Sequence, residues 1–592
     1  MANLFRSQEL TANMRGTLRL FDGFRLRGQY GLVTYSSKRN IFSKTINYYS
    51  PLDNSLIYQT NAKNTISSAN YMRTYQTFIG MAEYEKRFAD QHDVKLLLAA
   101  SQESTVGEDL TASRQSLPTQ SVGAINLGTE NQLNTGQAYQ NALRSVFGRA
   151  NYIFKDRYLL EGNFRYDGSS RFSPDVRWNL FGSGSVGWIF SEEAFFAGLR
   201  DVVPLAKIRA SYGTQGNDLV GSDYPYLATI GPVSTMPIGN QQTLGYAQTD
   251  IPNTRLTWES VQKTNVGIDL GFLRNRLTVS GDYFINRTND ILLRVALPDV
   301  LGATEPSQNA GKVENKGWEV QANWRDQVGE FTYGLAGNLS DVRNKVVSLG
   351  GTPPTVGDRV RFLGQPIDAF YGLVADRIAQ VTDFDLDAGT NRYTPRFPTI
   401  AGDPVQPGDL IYKDLNGDGK ISLDQDRQVI GNAIPRYTYG LRANAAWHGI
   451  DAAIFFQGVG QVDGYIGGAA RHAYISEGSL PQEFHLDRWT PENTDGSYPR
   501  LTYQQSHNQR LSTYWLEDAS YLRLKNVQIG YTLPTSLTQR VRVSRLRLYA
   551  SADNLFTRSD FFYGYDPESP VSVGGFYPQV KTVVFGLNVT LQ

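Results

Sequence analysis

The chain has 592 residues and no cysteine, and its 57 Lys and Arg residues balance 57 Asp and Glu residues. This balance argues against a nucleic-acid-binding protein, and the lack of cysteine excludes a disulfide framework and cysteine-based metal or nucleophile chemistry. Aromatic residues form 12% of the chain and glycine numbers 56, which favours strands and turns over helices. No apolar run reaches the roughly 18 residues of a transmembrane helix.

Apolar and polar residues alternate with a period of two along much of the chain, which is the pattern of β-strands. In chain order, clear examples are Phe24–Leu32, Tyr158–Asp167, Val266–Phe272, Arg276–Arg287 and Val583–Leu591. Leu273-Arg274-Asn275 is predicted to form a tight hairpin between the third and fourth of these segments. About 17 such segments are predicted.

The segment Trp178–Trp188 has the length of a membrane-spanning strand. One face carries Trp178, Leu180, Val186 and Trp188, with tryptophans at both ends. Ten residues at about 3.3 Å each, tilted by about 40°, cover about 25 Å of membrane height. This spacing favours a membrane barrel with aromatic girdles over two core tryptophans placed by chance.

The links between predicted strands alternate between short and long, as in outer-membrane barrels. The short links are predicted at Phe21–Gly23, Ala89–Gln91, Lys155-Asp156, Arg274-Asn275 and His448-Gly449. The long links are predicted at about 36–73, 102–138, 217–260, 380–435 and 462–519. A soluble sandwich has no reason to sort its links in this way, so the sequence predicts a large antiparallel transmembrane β-barrel.

Several segments, in order, resemble the SusC/RagA family of TonB-dependent outer-membrane proteins. They are Tyr166–Phe172 (YDGSSRF), Arg177–Glu192, Lys207–Asn217, Leu256–Leu273, Gly311–Glu319 (GKVENKGWE), Asp409–Gly431, Ser520–Pro534 (SYLRLKNVQIGYTLP) and Leu546–Thr557 (LRLYASADNLFT), followed by Gly564-Tyr565-Asp566-Pro567. Together they cover roughly residues 150–592, whereas residues 1–150 fit by strand pattern alone. Each segment by itself is weak evidence for the family, whereas all of them together in the family's order are specific evidence for it.

The resemblance implies a barrel of about 22 strands in the cell outer membrane of a Bacteroidetes-type bacterium, surrounded by lipid. Members import bulky nutrients such as oligosaccharides or peptides with a SusD-like surface lipoprotein as lid. TonB drives import through a plug. Residues 1–592 are therefore expected to be one barrel domain, truncated at the N-terminus, with the plug and a carboxypeptidase-regulatory-like domain missing. Met1–Leu10 does not resemble a signal peptide.

The sharpest local motif, Asp414–Ile421 (DLNGDGKI), matches the start of an EF-hand-like Ca²⁺ loop. Position 12, which should be acidic, is Gln425, between two aspartates. The predicted ligands are Asp414, Asn416, Asp418, the carbonyl of Lys420, Asp424 and Asp426. Such an ion would stiffen a long extracellular loop and have no catalytic role. The alternative is a turn closed by its own side chains.

Two other function classes stay open. The first is a passive outer-membrane porin or adhesin barrel without TonB coupling. The second is a secreted, β-rich enzyme acting on glycans, for which acidic pairs such as Glu192 and Glu193 are weak support because ordinary loops carry such charge. We predict no enzyme, no catalytic residue, no cofactor and no nucleic-acid partner.

Aromatic residues of the predicted loops are candidates for stacking on sugar rings or for contacts with a lid protein. They are Tyr48, Tyr49, Tyr71, Tyr224, Tyr226, Trp489, Tyr498, Tyr503, Tyr514, Trp515, Phe561, Phe562 and Tyr563. The sequence does not assign any one of them to either role.

Overall fold

The computed structural model describes residues 2–238, 241–248, 250–294, 305–354, 356–476, 479–569, 571–572 and 575–591. Its one-turn α-helix is α1 (Thr535–Thr538). The 3-10 turns are Ile125–Leu127, Phe190–Glu192, Ala194–Leu199, Val381–Asp383, Gly468–Ala470, Glu483–Asp487, His507–Gln509 and Gln539–Val541. Over the described residues, no helix has both the length and the apolar character needed to cross a membrane.

Strands dominate the described residues. In chain order they are β1 (Ala2–Phe21), β2 (Phe24–Ser43), β3 (Ile46–Tyr49), β4 (Leu56–Thr60), β5 (Thr65–Phe88), β6 (His92–Gln115), β7 (Glu130–Phe154), β8 (Tyr158–Ser169), β9 (Trp178–Ile189), β10 (Leu205–Asn217), β11 (Ile230–Ile238), β12 (Gln241–Gln248), β13 (Glu259–Phe272), β14 (Leu277–Arg294), β15 (Ser307–Val328) and β16 (Phe331–Ser348). They continue with β17 (Arg359–Val360), β18 (Ala369–Leu373), β19 (Ala375–Ile378), β20 (Phe384–Asp387), β21 (Arg392–Pro395), β22 (Leu410–Tyr412), β23 (Arg427–Gly431), β24 (Tyr437–Trp447), β25 (Ile450–Gly460), β26 (Asp463–Ile466), β27 (Leu516–Asp518), β28 (Tyr521–Thr532), β29 (Val543–Ser559), β30 (Val571–Ser572) and β31 (Thr582–Leu591).

Seventeen of these strands belong to one large sheet, so the predicted number of strands is confirmed. They are β1, β2, β5 to β10, β13 to β16, β24, β25, β28, β29 and β31. The sheet is not closed within the described residues. The all-β fold class is therefore confirmed, while the full count of about 22 strands stays a prediction.

The chain divides into two compact units. The first comprises residues 1–188, 211–262 and 288–310, and the second comprises residues 189–210, 263–287 and 311–592. In the first unit, antiparallel ladders join β1 to β2, and then β5, β6, β7, β8 and β9 in turn. In the second, they join β15 to β16, and then β24, β25, β28, β29 and β31.

The predicted tight turns are confirmed. Leu273, Arg274 and Asn275 lie between β13 and β14 with φ values of 54°, 61° and 62°. Turns of two or three residues also separate β1 from β2, β5 from β6, β7 from β8 and β24 from β25. Asn275, Gly23 and Gly449 tolerate the left-handed conformation, whereas Leu273 and Arg274 adopt it although their own preferences do not favour it.

Three of the predicted long links have wrong boundaries. The first link is shorter than predicted, because β2 continues to Ser43 and β5 begins at Thr65. The second is also shorter, since β6 continues to Gln115 and β7 begins at Glu130. The link before β24 is longer, because β16 ends at Ser348. At the first two links, polar residues beyond the end of the apolar pattern still pair with the neighbouring strand.

Candidate functional site

The large sheet exposes its apolar side chains and half-buries its polar ones, the reverse of a soluble protein. On β9, Trp178, Leu180, Val186 and Trp188 are 41%, 63%, 53% and 37% exposed. On the opposite face of β8, Glu161, Asn163 and Arg165 are half-buried, and Asp167 is buried. This arrangement suits a wall with lipid on the apolar side and a wet interior on the other. We call these the outer and inner faces.

Ion pairs and hydrogen bonds connect the polar side chains of the inner face. In the first unit, Arg165 bonds Asp167 at 2.8 Å and donates to the Ser145 hydroxyl at 2.7 Å. In the second unit, Arg209 lies between Asp269 and Asp282, at 3.0 and 2.7 Å. The inner face is therefore both charged and rigidly held.

Tyrosines gather on the inner face of the first unit around an arginine. Tyr35, Arg73, Gly107 and Tyr139 form one register row across β2, β5, β6 and β7. Tyr71, on the same face of β5 as Arg73, lies 2.8 Å from Tyr139 between the two hydroxyls. Its ring centroid is 5.9 Å from that of Tyr35.

Tyr75 completes this group and donates to Glu103 at 2.7 Å. Arg73 is exposed, and the described residues offer its guanidinium no hydrogen bond or ion pair. We call Tyr35, Tyr71, Arg73, Tyr75 and Tyr139 the tyrosine platform. Flat aromatic faces beside an unoccupied guanidinium are suited to bind a polar molecule with a planar or ring-shaped face.

In the second unit, residues 349–436 and 461–520 fold together, and we call their described parts the loop assembly. Its apolar core contains Leu373, Leu410, Tyr412, Tyr498 and Trp515, each at most 9% exposed. Short ladders join β18 to β17 and β23, β19 to β22, and β26 to β27. These long links therefore have their own hydrophobic core and are not loose loops.

Buried ion pairs join the two segments of the loop assembly. Asp409, which is 1% exposed, accepts hydrogen bonds from Arg500 at 2.7 and 2.9 Å and from Asn508 at 2.8 Å. Asp403 binds Arg510 at 3.1 Å and lies 3.0 Å from the Nδ1 atom of His507. Each carboxylate comes from the first segment and each cation from the second, so the two segments hold each other in place.

Arg471 organises a second polar cluster inside the loop assembly. Its guanidinium lies 5.1 Å from the Trp515 ring centroid and pairs with Glu517. Its carbonyl accepts from the Tyr498 hydroxyl and lies 3.0 Å from the Nε2 atom of His485. The Nδ1 atom of His485 accepts the backbone N–H of Gln482 at 2.9 Å, so His485 is neutral with its proton on Nε2.

His472 lies in the same cluster, with its ring 4.9 Å from that of Trp515. Burial, reinforced by the charge of Arg471, lowers the pKa of His472 to about 3. Burial also lowers the pKa of His485. Both histidines are therefore neutral in the folded loop assembly at physiological pH.

The Asp-rich loop is closed by its own side chains and backbone. Asp414 accepts the N–H groups of Gly417 and Gly419 at 2.7 Å each, and the latter bond is the largest cause of its lowered pKa. Asn416 accepts from the backbone of Asp418, and Asp418 from that of Lys420, both at 2.9 Å.

The two later predicted ligands differ in their positions. Asp426 is fully buried and accepts the N–H groups of Leu415 and Ser422 at 2.8 and 2.6 Å, whereas Asp424 is exposed. Over the described ranges, no three acidic or histidine side chains converge as a metal site requires. The contacts are those of the alternative interpretation, a self-closed turn, and Ca²⁺ binding stays a prediction.

The predicted loop aromatics fall into different environments. Trp489, Tyr498, Trp515 and Phe561 are buried and are unavailable to a ligand. Tyr71 lies in β5 on the tyrosine platform, so its prediction as a loop residue is wrong. The exposed members are Tyr48, Tyr49, Tyr224, Tyr503 and Tyr563.

The sequence by itself did not identify Arg73, Tyr75 or Tyr139 as members of a site. The alternation in β5 carried a signal, since Tyr71, Arg73 and Tyr75 occupy successive positions on one face. The partner Tyr139 joins them only through the register of β6 and β7, which no local pattern reveals.

Residues 3–555 match the family model described as TonB dependent receptor-like, beta-barrel. The chain is 32% identical over 561 residues to TonB-dependent receptor P3 of Formosa agariphila, covering 89% of this chain and 52% of the relative. It is 28% identical over 473 residues to TonB-dependent receptor SusC of Bacteroides thetaiotaomicron, covering 77% and 44%. The chain thus spans about half the length of the curated relatives that it matches.

Among solved structures, the chain is similar to one from the RagAB peptide importer in its open-open state. The TM-score is 0.80 at 23% identity, covering 99% of this chain and 61% of the other. At this identity the likeness shows the fold alone. The structure of the RagAB peptide transporter has a TM-score of 0.79 at 22% identity, covering 99% and 62%. With outward apolar and inward polar side chains and a family match over most of its length, the chain belongs to the TonB dependent receptor-like β-barrel family, is of the SusC/RagA type, and lies in the outer membrane.

Proposed function

We propose that this chain is the barrel part of an importer that carries a bulky polar nutrient, an oligosaccharide or a peptide, across the outer membrane. The observation that carries the proposal is the inner face, where charged and tyrosine side chains are held in place by one another. An adhesin needs an outward-binding surface but no such interior. A polar interior bound by lipid on its other side is the arrangement of a conduit.

The tyrosine platform is the part of the inner face that we propose to contact the nutrient. Tyr35, Tyr71 and Tyr139 offer aromatic faces, and Arg73 has hydrogen-bond donors to spare. The backbone of β5 and β6 is occupied on both sides by its ladders, so an incoming chain cannot add as a further strand there. Recognition on this wall must therefore use side chains.

Both nutrient classes have support. The resemblance to the SusC/RagA family implies either one, and the structures similar in fold are described as a peptide transporter and a peptide importer. The exposed loop tyrosines Tyr503 and Tyr563 are, in this proposal, available to a SusD-like lipoprotein or to the nutrient. Their exposure contrasts with the burial of Trp515, which stabilises the loop assembly.

Energy coupling belongs, in this proposal, to a part of the protein outside the 592 residues. The curated relatives extend well beyond the matched region. We propose that a plug and its TonB contact lie in that part, along with the strands that complete the barrel. The barrel described here would then provide the conduit and the nutrient contacts.

Uptake in cells tests the proposal. The native gene is deleted and replaced by wild type, by Arg73→Ala, or by the outward-facing control Arg144→Ala, and uptake of labelled oligosaccharides and peptides is measured. We expect one nutrient class to depend on the gene, on TonB and on Arg73, with a reduction of roughly tenfold for Arg73→Ala if one charge-assisted contact is lost. Uptake that continues without TonB would instead identify a passive porin.

A further inference from the structure

Two cations stand directly opposite each other on the outer face of the first unit. Arg6 of β1 is the register partner of Lys38 of β2, and Lys38 is in turn the partner of Asn70 of β5. All three side chains are exposed, and within the described residues none of them has a side-chain hydrogen bond or an ion pair. Like charges directly opposite in a sheet repel each other, so this row favours an anion between them.

On the outer face of β1, Arg6 lies between an apolar band on the side of the short turn and the exposed Leu4. Leu10, Met14 and Leu18 share the face of Arg6 on β1 and are 61%, 72% and 57% exposed. Arg6 is four residues beyond Leu10, which is about 13 Å along the strand and about 10 Å in height at a tilt of about 40°. This end of β1 is remote from the short turn at Gly23, so the row belongs to the end with the long links.

Among the described strands on the β2 side of β1, no acidic side chain lies in this row. On this face the nearest acid in the register is Glu108 of β6, one pair away along the strand and separated from Lys38 by β5. Glu9 lies on β1 but, at an odd position, points to the opposite face. The described residues therefore leave the positive charge of Arg6 and Lys38 uncompensated.

We propose that Arg6, Lys38 and Asn70 bind the phosphate of an outer-leaflet lipid headgroup whose acyl chains lie on the apolar band. Strands stand about 4.8 Å apart, so adjacent guanidinium, ammonium and amide donors can share one phosphate. A free phosphate ion would contact only Arg6, Lys38 and Asn70 and would make no contact with the apolar band. Because Leu10, Met14 and Leu18 are exposed next to the row, this surface suits a lipid, whose acyl chains can cover them. This site concerns the surrounding membrane and stands independently of the imported nutrient.

Lipid retention by the full-length protein tests this site. The protein is purified in a neutral detergent, stripped of lipid, and mixed with monophosphoryl lipid A or its dephosphorylated form. Intact-complex mass spectrometry then counts the bound lipid. We expect wild type to retain the phosphorylated lipid, and Arg6→Gln with Lys38→Gln to retain it roughly tenfold more weakly. The control, Arg274→Gln with Arg540→Gln, removes the same charge at the short-turn end and is expected to behave as wild type.

Three results would overturn the proposal. They are unchanged retention in the Arg6→Gln/Lys38→Gln variant, equal retention of the dephosphorylated lipid, and displacement of the lipid by inorganic phosphate alone at low millimolar concentration. A fourth, loss of a co-purifying acidic protein while lipid binding stays intact, would assign the row to that protein and reject the lipid. Heat-modifiability on gels verifies that each variant is folded before lipid is counted.

Discussion

Tyr139 lies flat across Gly107, so close that a β-carbon on the glycine would stand 2.4 Å from the ring atom Cε1. The missing side chain lets the ring reach Tyr71 on the strand beyond, hydroxyl to hydroxyl. The guanidinium of Arg209 lies over Gly267 in the same manner. Glycine on the inner face thus allows large flat side chains to lie along the wall.

Gly107→Ala is expected to displace Tyr139 and to break its bond with Tyr71. Overpacking of this kind costs about 1–3 kcal/mol, and the midpoint of heat-modifiability on gels should fall accordingly. Gly80→Ala is the matched control, because no atom lies within 4 Å of the β-carbon it would introduce. Equal midpoints for the two variants would show that the Tyr139 ring is not held against Gly107.

Arg523→Ala is expected to release the segment 560–569. The side chain of Arg523 is 2% exposed and its guanidinium donates a hydrogen bond to Asp566 at 2.8 Å. Its Nη1 atom lies 2.9 Å from Glu568, but the two groups are not aligned for a hydrogen bond. Removing one partner of a buried pair costs about 3–5 kcal/mol. Limited proteolysis should cut this segment in the variant and spare it in the exposed control Arg558→Ala. Resistance in both would mean that the anchor lies elsewhere.

Acid is expected to loosen the loop assembly. The folded-state pKa of His472, about 3, is below its ordinary value of 6.5, so the unfolded segment binds the proton more tightly. The contribution of His472 to stability is complete above pH 6.5 and is lost progressively as the pH falls from 6.5 towards 3. The lowered pKa of His485 acts in the same direction. Hydrogen exchange of residues 461–520 at pH 7 and pH 4.5 measures the effect.

His472→Phe should flatten this pH dependence, since a neutral ring replaces the titrating one. The exposed His448, outside the loop assembly, gives a control variant, His448→Phe. If both variants respond to pH as wild type does, the titration of His472 does not govern the stability of the loop assembly.

Calcium is expected to protect the Asp-rich loop if the predicted ligands close around an ion. Addition of Ca²⁺ should slow proteolysis within residues 410–426, and chelation should restore it. Asp418→Asn should abolish the protection, because it removes a charged ligand while keeping the size of the side chain. Identical digestion with and without Ca²⁺, together with no heat of binding by calorimetry, would leave the loop as a self-closed turn.

Local features of the sequence determined the strands and the tight turns. A period of two in Tyr158–Asp167 places every second side chain on one face regardless of what surrounds the strand. The short break at Leu273-Arg274-Asn275 between two alternating segments marks the hairpin. The family segments, read in order, likewise indicated the barrel type that the family match then showed.

The tertiary structure alone decided the register and the burial of the long links. The row from Tyr35 to Tyr139 depends on the strand register across the long links before β5 and β7. Trp515 and Tyr563 are both aromatic loop residues by sequence, yet one is 1% and the other 93% exposed. Burial depends on which distant segments fold over a residue, and no local periodicity contains that information.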